Sequence, residues 1–260
     1  MSIFDQKVIK YEMKPLSSLE KVFPDETPVY RMECQMLSGL WGETVSFQVA
    51  YTGDFVMRER LDVRVVSELA EHVHVRTVEM VPVGRATNGI VDDNYLKTTS
   101  GLYPDLLKDL KDGKVIVYSR AWRSRWVDVD ITNEIPAGEY EIELQLIKEG
   151  EVVCSAKQKV TVIGTELPKL DIMHTEWMHA DCLADYYHVE VFSEEHWKLL
   201  ENYFQEYVKR DCNMMLTPLF TSPLDTAIGL ERTTCQLIDV EVKDGEYVFG
   251  FAKLKRWIDL

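Results

Sequence analysis

The chain has 260 residues, 46% of them hydrophobic and 10% aromatic, enough apolar material for one large core or two ordinary ones, which excludes a disordered chain. Its formal net charge of −15 repels polyanions and argues against nucleic acid as a partner. No apolar run reaches membrane-spanning length, and the opening MSIFDQKVIKYEM lacks the apolar core of a signal peptide, so a cytoplasmic protein without a membrane partner is expected. The cysteines at 34, 154, 182, 212 and 235 are odd in number and form no CxxC pair. Buried reduced thiols are expected rather than a disulfide framework or a zinc knuckle.

Up to Ile163 the pattern is β. Val45, Phe47, Val49 and Tyr51 alternate with polar or small neighbours, and so do Leu61, Val63 and Val65. Val73 and Val75 follow the same rule, but the next apolar residues are Val78 and Met80, and that switch of parity predicts a bulge near Arg76–Thr77. Val127, Val129 and Ile131, then Tyr140, Ile142, Leu144 and Leu146, then Val160 and Val162 complete the series. Period-two patterning with one wet face belongs to antiparallel sheets. Turn signals stand at Thr52-Gly53-Asp54, Pro136-Ala137-Gly138 and Glu149-Gly150-Glu151, and the whole predicts a β-sandwich over Ile3–Ile163. Asn88–Leu110 breaks the pattern and is expected to cross the sandwich, with a short helix at Asp105–Lys111. Arg120-Ala-Trp-Arg-Ser-Arg-Trp126 is a basic aromatic run in an acidic chain. It suits a stacking platform for sugar or nucleic acid; alternatively its tryptophans pack at a domain junction and its arginines pair with surface acids.

At Ile163 the character changes, and Gly164–Pro168 has the composition of a short linker. Two domains follow, 1–163 and 164–260. The second is predicted as strand Leu170–Met178, a polar and aromatic loop His179–Phe192, helix Glu194–Lys209 and strand Asn213–Thr217. That is a βαβ unit of a parallel sheet, open or closed into a barrel. Ser193 can N-cap the helix, with Glu194 and Glu195 at its positive end and Trp197, Leu200, Phe204 and Tyr207–Val208 on its apolar stripe. Asp244-Gly245 predicts a hairpin, and Phe251–Leu260 a last helix with Leu254, Trp257 and Ile258 on one face.

In a parallel α/β sheet or barrel, function gathers at the C-terminal ends of the strands. His179, Asp181, Asp185, Tyr186, Tyr187 and Thr217 stand there or in the loops beyond, and Asp225 follows Ser222-Pro223. Carboxylates and imidazole to bind hydroxyls, with aromatic faces for ring C–H groups, is the mixture a sugar site uses. Each residue has a structural alternative: His179 as a loop hydrogen-bonder, Asp181 and Asp185 as turn caps, Tyr186 and Tyr187 as packing, Asp225 as a loop anchor. His174, His179, Asp181, Cys182 and His188 lie close in sequence, but no HxH or HxxxH pair supports a metal, and no metal or other cofactor is expected. Walker, GxGxxG and GxSxG motifs are missing.

WMHADCLADYYHVEVFSEEHW from Trp177, followed by NMMLTPLFTSPLDT from Asn213, resembles glycoside hydrolase family 123 and its relatives. Gly42–Gln48 and Tyr247–Phe251 are similar to further parts of that family. The resemblance implies a mixed fold, an antiparallel β-sandwich followed by a (β/α)8 catalytic barrel of which the first two or three βα units are present. It also implies β-N-acetylgalactosaminidase activity, with the acetamido oxygen of an N-acetylhexosamine-containing glycan as nucleophile. An adjacent Asp-Glu pair in mid-barrel orients that acetamido group and supplies the acid, outside the usual two-carboxylate scheme. Here the only Asp-Glu dipeptide is Asp25-Glu26, in the sandwich, so no catalytic residue is assigned.

After Ile163 there remain 97 residues (260 − 163), against about 250 for a closed barrel. The expectation is therefore an N-terminal portion of a glycosidase, inactive alone and self-associating through its open barrel edge. The alternative is a non-catalytic carbohydrate-binding or interaction protein.

Overall fold

The computed structural model describes residues 10–29, 36–55, 58–87, 89, 91, 94–169, 171–222, 226 and 228–260. The chain divides into two compact units, Met1–Leu167 and Pro168–Leu260. The first is two five-stranded sheets. One has the order β1 (Lys10–Ser17), β3 (Thr44–Asp54), β8 (Arg123–Asp130), β5 (Val73–Val83), β6 (Gly101–Asp109); the other β2 (Met36–Trp41), β10 (Glu151–Glu166), β9 (Gly138–Lys148), β4 (Glu59–Val66), β7 (Lys114–Val117). Phe47, Val49, Val127 and Val129 of the first sheet meet Ile142, Leu144, Ala156, Val160 and Val162 of the second in one buried core. Those are the apolar phases of the period-two runs.

Among the described residues the paired strands run antiparallel except for β2 and β10, which run parallel, and an isolated bridge between Gly53 and Ser119 is parallel as well, a departure from the all-antiparallel expectation. The predicted turn Thr52–Asp54 is the end of β3, paired with β1; Gly53 is needed because a Cβ there would sit 2.2 Å from the Phe55 ring. Glu149-Gly150 does turn the chain, with both residues at positive φ, the geometry of a tight hairpin. β5 slips register between Val78 and Met80, just beyond the predicted bulge. The helix expected at Asp105–Lys111 is not formed. That stretch is β6, an edge strand, where Pro104 costs no ladder bond that the sheet needs. The linker reading of Gly164–Pro168 also fails in part, since β10 continues to Glu166 and Leu167 N–H donates to Trp41 C=O. Trp122 packs inside the sandwich with Leu16, Val22 and Ala50, and Arg120 pairs with Asp54.

The second unit contains α1 (Ala180–Tyr187), α2 (Glu194–Lys209), the hairpin β11 (Asp239–Lys243) and β12 (Glu246–Gly250), and α3 (Ala252–Asp259). Its core joins Ala180 and Leu183 of α1, Trp197 and Leu200 of α2, Cys235, Leu237 and Trp257. The capped α2, the hairpin and the last helix stand where the sequence places them. Ser193 Oγ accepts from His196 N–H, and Asp244-Gly245 turns at positive φ. The polar loop expected at His179–Phe192 is largely α1. Among the described residues, 171–178 and 213–217 form no strand. They meet at one point, where Asn213 N–H and Met214 N–H share His174 C=O and the Asn213 side chain bonds His174 N–H and Ile172 C=O. A side-chain amide here takes the bonds that a ladder would give to backbone. Of the described thiols, Cys235 is buried, Cys154 and Cys212 are half-buried and Cys182 is exposed, so burial holds for only part of the set, and none of these four is in a disulfide; Cys34 lies outside the described residues.

Candidate functional site

α1 is short and carries five of the sequence-predicted residues on or beside it. Its start is held by His196. Phe192 N–H donates to His196 Nδ1 at 2.9 Å, so the ring proton sits on Nε2, which donates to Ala180 C=O at 2.9 Å. The ring is 0% exposed, and burial holds its pKa below the usual histidine value. His196 is thus a neutral brace.

Asp181, in the first turn of α1, is buried and accepts from Arg232 Nε at 2.6 Å and Nη2 at 2.9 Å. Asp185 lies one turn on and on the same face. It accepts from Thr233 Oγ1 at 2.9 Å. The two carboxylates therefore fasten consecutive residues of the long loop after Pro218 to α1. Burial first, and then the negative charge of Asp181, pushes the Cys235 thiol up to about 12. At neutral pH it is a packed thiol and no nucleophile.

His179 precedes α1 with extended backbone and makes no side-chain cap. With Trp177, Asp181, Leu216, Thr217 and Arg232 it lines a cavity of about 160 Å³, closed further by Phe220 and Cys235. Its wall is tied together where Leu237 N–H donates to Pro218 C=O and Cys235 N–H to Thr221 Oγ1. The cavity is smaller than the ~300–1,000 Å³ of a small-molecule site, so it has room for part of a ligand. Trp177, 68% exposed, offers an indole face beside it.

The structure thus brings His179, Asp181 and Thr217 to one cavity. Asp185, Tyr186 and Tyr187 are outside its lining. Asp185 is engaged by Thr233, and the two tyrosines stand edge to face at 5.0 Å at the exposed end of α1. Tyr187 OH lies 3.3 Å from Tyr203 OH. Asp225 falls outside the described residues. Arg232, Trp177 and His196 were missed. Arg232 is 51 residues from its partner, and no local pattern announces such a pair; Ser193-x-x-His196 could have been read as a helix start with an imidazole in its first turn. Among the described residues no three of His, Cys, Asp and Glu gather as a metal site, and no helix is long and apolar enough to cross a membrane. Asp25 and Glu26, the Asp-Glu dipeptide, lie in the sandwich unit and both bind Lys97, at 2.9 and 2.7 Å.

Residues 177–260 match the family model of the glycoside hydrolase 123 catalytic domain. The match begins at the indole beside the cavity and takes in every residue lining it. A family 123 glycoside hydrolase from Clostridium perfringens, described in a study of glycolipid glycan hydrolysis, is similar in structure at a TM-score of 0.65 and 13% identity. The likeness covers 96% of this chain and 45% of that one, so the chain spans under half the length of that family 123 structure. At that identity it speaks to fold alone. A β-glucosidase from Listeria innocua (TM-score 0.28, 10% identity, 62% of this chain and 17% of that one) and the N-terminal domain of PorA (0.29, 9%, 59% and 99%) resemble the chain far more weakly. No curated protein matches the chain.

Proposed function

We propose that this chain is a portion of a glycoside hydrolase acting on N-acetylated hexosaminides, of the β-N-acetylgalactosaminidase type. The observation that carries the reading is that the family 123 catalytic-domain match and the cavity of Trp177, His179, Asp181, Thr217 and Arg232 occupy the same residues. In this reading Trp177 stacks on the sugar's C–H face, and His179 and Thr217 bond its hydroxyl or acetamido groups. Asp181 holds Arg232 in place, since one guanidinium already occupies both of its oxygens. The acetamido oxygen of the substrate is the nucleophile, and the acid and the acetamido orienter come from a part of a (β/α)8 barrel that these 260 residues do not supply. Asp25 and Glu26 do not fill the role, being surface partners of Lys97 in the other unit. Exposed Phe220, Tyr247 and Phe251 are faces that further barrel units would cover, and without them the chain is expected to self-associate.

The test is an assay of the purified 260-residue chain with an aryl N-acetyl-β-galactosaminide. No turnover above a buffer blank is expected. Turnover abolished by His179→Ala or Asp181→Asn would place an acid within this chain and overturn the division of labour.

A further inference from the structure

The sandwich contains a cavity of about 720 Å³, apart from anything residues 177–260 do. It lies between β4 and β7 of one sheet and β5, β6 and β8 of the other, and its volume falls within the ~300–1,000 Å³ of small-molecule sites. Along β8 the sequence is Arg123-Ser-Arg125-Trp-Val127-Asp-Val129. Period two sets Arg123 and Arg125 on the face that Val127 and Val129 give to the core. Two arginines continuing a core stripe contradict the local pattern, and such conflicts are expected at functional sites.

Arg125 is 3% exposed. Its Nη1 donates to Thr77 Oγ1, and its guanidinium lies 5.7 Å from the centre of the Tyr51 ring. Arg123 stands 5.2 Å over Tyr118. The Nε of each is buried and has no hydrogen-bond partner among the described residues. Two guanidinium groups are thus positioned by aromatic rings with a donor unspent on each. The rest of the lining favours anions as well. Glu59 is engaged by Tyr11 and Lys148, Arg60 by Asp112, and Lys114 by Asp62. Arg58, Lys108, Arg123 and Arg125 then face Glu79 and Asp109, a local excess of positive charge in a chain of net −15.

We propose that this cavity binds a small molecule bearing a carboxylate or sulfate group, with Arg125 and Arg123 donating to its oxygens. A guanidinium's rigid fork matches two oxygens of such a group, which an ammonium does not. Calorimetric titration of the full 260-residue chain at fixed ionic strength tests it, with inorganic sulfate, glucuronate and glucose 6-sulfate as probes and glucose and sodium chloride as controls. Saturable binding of at least one oxyanion is expected, with none for the controls. Sulfate alone would mark a site for the free ion, and glucuronate or glucose 6-sulfate would mark one for an acidic sugar. Arg125→Lys and the half-buried Arg123→Gln should each weaken binding at least tenfold. Should Arg125→Lys fail to fold, Arg123→Gln with an unchanged circular dichroism spectrum carries the test. The proposal is overturned by absence of saturable oxyanion binding, by binding that Arg123→Gln leaves unchanged, or by a response that sodium chloride reproduces.

Discussion

Asp181 and Arg232 show what a single pair can contribute. Both side chains are nearly out of water, at 8% and 11% exposure. Removing one partner leaves the other charge buried, at a cost of about 3–5 kcal/mol, whereas replacing both with apolar groups is often neutral. Arg232→Met should therefore destabilise the second unit strongly in urea unfolding, and Asp181→Leu with Arg232→Met should recover most of the loss. Equal losses in the single and double variants would show the pair to be unimportant. His196 makes a second, pH-dependent contribution. Its folded pKa is lowered by burial from the ordinary 6.5, so the unfolded chain takes up a proton first as pH falls. Stability should be full above about 6.5, fall below it, and level off once the folded ring also protonates. His196→Gln should flatten that part of the profile; an unchanged slope would assign it to other groups. Neither Arg232 nor His196 was legible as important from the sequence, because Arg232 is 51 residues from Asp181 and the partners of His196 are backbone groups. His179, Asp181 and Thr217 were legible as neighbours, although they were derived as strand ends and the structure shows no strands there.

At the scale of elements, what the sequence revealed depended on local signals. α2 has a cap, a charged first turn and an apolar stripe, and it appears with the bounds they predict. Ser193→Ala should cost about 1 kcal/mol, read as a lowered urea midpoint with unchanged slope; no change would mean that the Oγ bond to His196 N–H is replaceable. α1 was missed because its eight residues, Ala180–Tyr187, are rich in polar and aromatic groups and end at His188, which has a left-handed backbone at φ 56° and lacks the glycine that usually marks such an end. β6 was missed for the opposite reason. Its Leu102, Pro104 and Leu106 share one phase but Tyr103 and Leu107 fall in the other, and it is a strand because the edge of β5 supplies a partner along 101–109. The core strands of the sandwich were legible because both sheets bury one face, which imposes period two on the chain.

For the molecule as a whole, the two units line their cavities with different sets of side chains. The sandwich places a local excess of cations around a cavity lined by Arg123 and Arg125, and the second unit gathers an indole, an imidazole, a hydroxyl and an ion pair around a small cavity. The central claim is that the second of these is a sugar site. Its most direct test is kcat/KM for an aryl N-acetyl-β-galactosaminide, measured on the smallest catalytically active form that contains these 260 residues, with His179→Ala and Thr217→Val compared with the parent. His179 makes no side-chain cap, and neither residue belongs to the buried core of the unit. Loss of one hydrogen bond to the substrate should lower kcat/KM roughly ten- to a hundredfold in each. Values equal to the parent in both variants, or no turnover of any N-acetylhexosaminide by any form containing the chain, would contradict the assignment.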